Sequence, residues 1–140
     1  MRYYFDTNIL AFILFDKRLE DNCDKNVREI VSDYENRFYI STIAIRELIK
    51  LNHDGELESI KFKSMNDIFL LLEEYNIEIK PFTKQHVITY GKLSLMADHK
   101  DPNDHMIIAQ SISDKIPLIS SDKKFILYEN QGLQLVFNKR

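Results

Sequence analysis

The sequence predicts an α/β domain, a central and mainly parallel sheet of about five strands flanked by helices on both faces. Short aromatic or β-branched runs recur along the chain, each ending in a polar residue able to cap a helix. Segments with helical periodicity separate them, and these supply the crossover connections that parallel strands require. The 140 residues contain only three glycines and three prolines, so no linker, repeat or low-complexity tract divides the chain, and residues 1–140 are expected to form a single domain.

Arg2 to Phe5 is the first strand, stopped by Asp6-Thr7-Asn8, and a helix follows from about Ile9. Val27, Ile30, Val31 and Tyr34 recur at helical spacing, and residues 37–40 read as the second strand. Ser41 or Thr42 caps a helix over residues 43–53, Gly55 punctuates it, and a longer amphipathic helix covers about residues 59–75. Residues 76–80 return as strand before Pro81, and Thr83 opens a helix over residues 84–97. Asp101 caps the next helix with Pro102 in its first position, where the missing N–H has no intrahelical partner to lose. Residues 117–120 and 133–137 are the last two strands.

Composition narrows the function. Hydrophobic residues are 44% and charged residues 29%, which supplies a core and excludes disorder as the main state. Apolar runs such as Ile9 to Phe15 fall far short of the roughly 18 residues of a membrane span, so no membrane partner is expected. The N-terminus has an acid where a signal peptide needs an apolar core, which points to the cytoplasm. Cys23, the single cysteine, forms no internal disulfide and reads as an incidental surface or half-buried thiol.

Ligands of an open parallel sheet bind beyond the carboxyl ends of its strands. Asp6 follows the first strand and Asp122 follows the strand ending at Ser120; singly, each also reads as a loop acid or helix cap. Glu47 falls at the edge of the apolar stripe containing Ile43, Ala44, Leu48 and Leu51. Asp104 falls between Ile107 and Ile108 on the helical wheel, in a first turn where it also complements the helix dipole. Four converging carboxylates require a counter-charge, and oxygen ligands select a hard dication, Mg2+ or Mn2+. Such an ion activates water for attack on a phosphodiester. The net charge of −3, from 19 basic and 22 acidic residues, at first opposes a nucleic-acid partner. Setting the four acids aside leaves 18 acidic residues against 19 basic, a net +1, so the remaining surface does not repel a phosphate backbone.

Phe5-Asp6-Thr7-Asn8, Glu47 in the helix after Ser41-Thr42, His99 to Asp104 followed by Ile107-Ile108-Ala109-Gln110, and Ser120 to Phe125 together resemble the PIN-domain ribonucleases. Within them the resemblance is to the VapC-type toxins of toxin-antitoxin pairs, over nearly the whole chain. It implies a PIN-like fold and an endoribonuclease whose catalytic and metal-holding acids are Asp6, Glu47, Asp104 and Asp122. Asn8, Ser120 and Asp101 are the implied supporting groups, Mg2+ or Mn2+ the cofactor and RNA the substrate. It also implies a cognate antitoxin and a homodimer. His105 stands where relatives often carry arginine, Ser120 where many have threonine, and Gln110 where a small residue is commoner.

His105, Lys123 and Lys124 are candidate RNA contacts, and His99 flanks the same helix start; His53 and His86 read as surface or packing residues. Rival readings are a non-toxin RNA-processing nuclease and a catalytically inactive PIN-fold binding module. A phosphatase with an aspartyl-phosphate intermediate wants a second aspartate where Asn8 stands, and a receiver domain wants adjacent acids near Asp6.

Overall fold

Strands β1 (Arg2–Phe5), β2 (Arg37–Ser41), β3 (Ile77–Lys80), β4 (Leu118–Ser120) and β5 (Leu135–Phe137) form one parallel sheet in the order β3-β2-β1-β4-β5. The computed structural model describes residues 1–15, 21–54 and 64–140. Helices α1 (Thr7–Phe15) and α2 (Lys25–Ser32) lie between β1 and β2, and α3 (Thr42–His53) and α4 (Met65–Glu74) between β2 and β3. Helices α5 (Lys84–Lys92) and α6 (Pro102–Asp114) connect β3 to β4, and a 3-10 helix (Lys123–Gln131) connects β4 to β5.

Consecutive side chains of a strand point to opposite faces, so a strand buried at every position is covered on both. Tyr3, Tyr4 and Phe5 of β1, Phe38 to Ser41 of β2 and all of β4 are buried in this way. The register pairs Tyr3 with Phe38 and Tyr4 with Tyr39, which stacks Tyr3 and Phe5 on Phe38 on one face and sets Tyr4 beside Tyr39 on the other. Strands β3 and β5, at the edges, are less covered. Among the described residues no helix is long and apolar enough to cross a membrane.

Helix α6 crosses this core with Ile107, Ile108 and Ala109 buried, and Gln110 buried beside them at 1% exposure. Such an amide needs partners, and it has them. Ser41 Oγ donates to its Oε1 (2.6 Å), and its Nε2 donates to Tyr4 Oη (3.2 Å) and to the carbonyl of Lys80 (3.3 Å). Tyr4 in turn donates to Asp114, which also accepts from His86 Nε2 at 2.8 Å. The Thr83 N–H donates to His86 Nδ1, so Nε2 carries the proton. His86 therefore has the packing role expected of it. One glutamine ties the central helix to β1, to β2 and to the exit of β3.

Several boundaries move for identifiable reasons. The helix expected over residues 84–97 ends at Lys92, because Ser94 exchanges hydrogen bonds with Gln131 and the Met96 N–H donates to Tyr128, holding residues 93–96 off the helix. Helix α4 starts at Met65 because Ser64 and Asp67 form a capping box; residues 59–63 of the expected helix, and Gly55, lie outside the described residues. Tyr34 is 97% exposed, since α2 ends at Ser32 before the apolar stripe reaches it. Cys23 is buried in the core rather than being a surface or half-buried thiol. Helix α1 starts at Thr7, Ser41 is the cap of α3, and β4 and β5 begin at Leu118 and Leu135.

Gln110→Ala leaves the Ser41 hydroxyl without its acceptor, removes the amide donor to Tyr4 Oη and opens a void. It is expected to cost about 2–4 kcal/mol of stability, read as a lower urea midpoint at unchanged slope.

Candidate active site

After β1 the chain steps outward through β2 and β3, then returns to place β4 on the other side of β1. The sheet order reverses between β1 and β4, and a ligand crevice opens at such a point. Asp6 directly follows β1 and Asp122 lies two residues beyond β4. Glu47 reaches the same place from α3, and Asp104 from the first turn of α6.

Asp6 is 5% exposed, and both of its oxygens are held: Oδ1 accepts the Thr7 N–H and Oδ2 accepts Ser120 Oγ–H, each at 2.8 Å. Ser120 Oγ also accepts the Asp122 N–H at 3.1 Å, which joins the two strand ends. Thr7 Oγ1 donates to Glu47 Oε1 at 3.0 Å. Ligand atoms of Glu47, Asp101 and Asp104 lie within 4.8 Å of one another, as do those of His99, Asp104 and Asp122, so Asp104 is common to both clusters. Asp101, expected only as support, stands among the acids while capping α6.

Burial pushes Asp6, Glu47 and Asp104 each up to about 7. Repulsion adds to it: Asp104 acts on Asp6, Asp6 and Asp101 on Glu47, and Asp101, Glu47 and Asp122 on Asp104. Hydrogen bonds from Ser120 and Thr7 to Asp6, and from Thr7 to Glu47, act in the opposite sense but do not overcome burial. Carboxylates crowded to this degree fit a hard dication, whose charge removes both penalties at once.

The histidines correct an expectation. His99 and His105 are 2% and 3% exposed, so neither presents a surface to RNA. Their rings meet edge to face at 4.7 Å, and His105 Nε2 donates to the His99 carbonyl at 2.7 Å. His99 Nε2 lies 3.0 Å from Asp104 Oδ2, and burial lowers the pKa of its ring, favouring the neutral form. Asn8, Lys123 and Lys124 are exposed, and the charge of Lys124 is felt at Asp104. His53 is exposed at the end of α3.

Sequence reasoning missed three contributors. Thr7 contacts both Asp6 and Glu47, and its place directly after Asp6 was the available signal. Arg46, on α3 next to Glu47, bonds Asn103 and brings a cation near the acids although position 105 carries none. Tyr128, bonded to His99 Nδ1, lies 29 residues away and gives no sequence signal.

The PIN domain family model matches residues 3–130. The chain belongs to the PIN domain family. This PIN domain shares its fold with a chain of VapBC2 from Rickettsia felis, in a structure bound to a promoter DNA fragment, at 19% identity and a TM-score of 0.67, over 99% of this chain and 100% of that one. A chain of VapBC-1 from nontypeable Haemophilus influenzae is 24% identical with a TM-score of 0.66, over 98% of each. A chain of a toxin-antitoxin complex from Klebsiella pneumoniae is 20% identical with a TM-score of 0.61, over 96% of this chain and 95% of that one. No curated protein sequence matches the chain.

In the metal-free PIN domain these carboxyls titrate near 7 folded and near 4 unfolded. Their contribution to stability is therefore complete below about pH 4 and is lost as the pH rises through about 7. The Tm in EDTA is expected to fall between about pH 5 and about pH 8, and to fall less in Asp104→Asn. Mn2+ is expected to raise the Tm more at the alkaline end, where the ligands are already ionised.

Proposed function

We propose that this PIN domain is an Mg2+- or Mn2+-dependent endoribonuclease, the toxin of a type II toxin-antitoxin pair. The observation that carries the reading is Asp104 standing within ligand distance of Glu47 and Asp101 on one side and of Asp122 on the other, at the reversal point of the sheet where Asp6 feels its charge. Asp6, Glu47, Asp104 and Asp122, joined by Asp101, are the residues that would hold the ion. When bound, the ion supplies an activated water and neutralises the charge that develops on the phosphodiester. RNA as the substrate follows from the family resemblance.

The chain's own groups have distinct tasks. Thr7 and Ser120 fix the orientation of Asp6 and Glu47 before substrate arrives, so the site reorganises little on binding. Lys123 and Lys124 lie at the start of the 3-10 helix that Asp122 caps, where their charges attract a phosphate backbone into the crevice. Exposed Asn8 offers an amide to water or phosphate at the same mouth.

The partner proposed is a cognate antitoxin, supported by the likeness of fold to chains from VapBC and toxin-antitoxin structures. A pocket built for a dication also accepts a guanidinium or ammonium through charge-assisted hydrogen bonds to Asp6 and Asp104. A homodimer in the cytoplasm, each pocket holding an arginine or lysine of the antitoxin, completes the reading.

Cleavage of single-stranded or loop RNA should require Mg2+ or Mn2+ and stop in excess EDTA, as followed by gel electrophoresis of a labelled RNA. Undiminished cleavage in EDTA would discard the reading. Asp6→Asn and Asp104→Asn should each abolish turnover with circular dichroism unchanged. Antitoxin affinity, measured calorimetrically, should fall as Mg2+ rises and fall again in Asp6→Asn; indifference to both would mean that inhibition works by covering the crevice.

A further inference from the structure

Tyr128 is fully buried, and among the described residues its hydroxyl has two hydrogen-bond neighbours. One is the Met96 N–H at 3.2 Å, which donates to Oη. The other is His99 Nδ1 at 3.0 Å. The phenolic proton needs an acceptor, and Nδ1 is the one in reach. Nδ1 is therefore bare, and a neutral imidazole then carries its proton on Nε2, which faces Asp104 Oδ2 at 3.0 Å. The opposite tautomer would leave a buried phenolic proton without a partner and set a bare nitrogen against a carboxylate oxygen.

The rest of His99 is fixed independently. Its N–H donates to the Met96 carbonyl at 3.0 Å, and its own carbonyl accepts from His105 Nε2. Its ring packs edge-on against His105 and against Tyr128, whose ring centre is 5.4 Å away. A ring held on so many sides delivers its proton to one point.

We propose that His99 is a positioning residue for Asp104. The chain of hydrogen bonds runs from the Met96 N–H through the Tyr128 hydroxyl and the His99 ring to Asp104, and it fixes the rotation of that carboxylate. It engages one lone pair of Oδ2 and leaves the remainder for the cluster with Glu47 and Asp101. An Nε2 that carries a proton has no lone pair for a cation, so the proximity of His99 to Asp104 and Asp122 is an orienting contact and not a further metal ligand. The inference rests on Asp104 serving the cation site proposed above.

Direct Mn2+ binding to the purified protein, by electron paramagnetic resonance, separates the cases. His99→Leu should weaken Mn2+ by about 10- to 100-fold, the range seen when a group orienting a metal ligand is removed. His99→Gln, whose amide reaches about as far as Nε2, should recover most of the loss, and Tyr128→Phe should fall between. Long-range 1H–15N NMR of His99 should find the proton on Nε2 both without metal and with diamagnetic Mg2+. Unchanged affinity in His99→Leu, equal losses in His99→Leu and His99→Gln, or departure of the Nε2 proton on adding Mg2+ would each overturn the proposal. Wild-type protein that binds no Mn2+ would instead sink the cation site, and a proton found on Nδ1 would overturn the His99 assignment even then. Should the His99 variants fail to fold, Tyr128→Phe and the wild-type spectrum still decide it.

Discussion

The desolvation of carboxylates gathered at the strand ends, with their mutual repulsion added to it, is the constraint around which this PIN domain is arranged. Asp6 directly precedes α1, Asp101 caps α6 and Asp122 caps the 3-10 helix, so each of these acids meets the positive end of a helical segment. Capping gives three of the clustered acids backbone donors, and hydroxyls of Thr7 and Ser120 supply more. None of this offsets burial, and Asp6, Glu47 and Asp104 remain raised to about 7. A site under such tension keeps its shape only on a rigid base. The doubly covered centre of the sheet provides one, with β1 and β4 paired side by side beneath the acids.

Helix α6 does the most to carry that rigidity into the site. Asp104 is in its first turn, Gln110 is in its middle and Asp114 is its last residue. Each is hydrogen-bonded to a different part of the molecule: Asp104 to His99, Gln110 to β1 and β2, and Asp114 to Tyr4 and His86. The helix can therefore neither turn about its axis nor slide along it without breaking buried bonds, and the height of Asp104 above the sheet is set from below.

The layers and the strand order's parallel character were legible because they follow from local signals. Aromatic runs, capping residues and Pro102 after Asp101 each act within a few residues. Asp6, Glu47, Asp104 and Asp122 were legible for a related reason: each breaks an apolar pattern or directly follows a strand. What could not be read depends on contacts distant in sequence. The early end of α5 is enforced by Gln131 and Tyr128, more than thirty residues on. The burial of His99 and His105 depends on Phe125 and Tyr128 closing over them, so two imidazoles in a charged, surface-like stretch turned out to be interior groups.

Gln110 also sets a rule for how such a chain can diverge. Its amide is satisfied jointly by a hydroxyl at position 41, a phenol at position 4 and a carbonyl at the exit of β3. A small residue at 110 would take the acceptor from the Ser41 hydroxyl, whereas the Tyr4 hydroxyl would keep Asp114; loss of the phenol at position 4 would leave the Gln110 Nε2 the Lys80 carbonyl. Positions 41 and 110 are therefore coupled, since each satisfies a buried polar atom of the other, and a change at one is best tolerated with a matching change at the other.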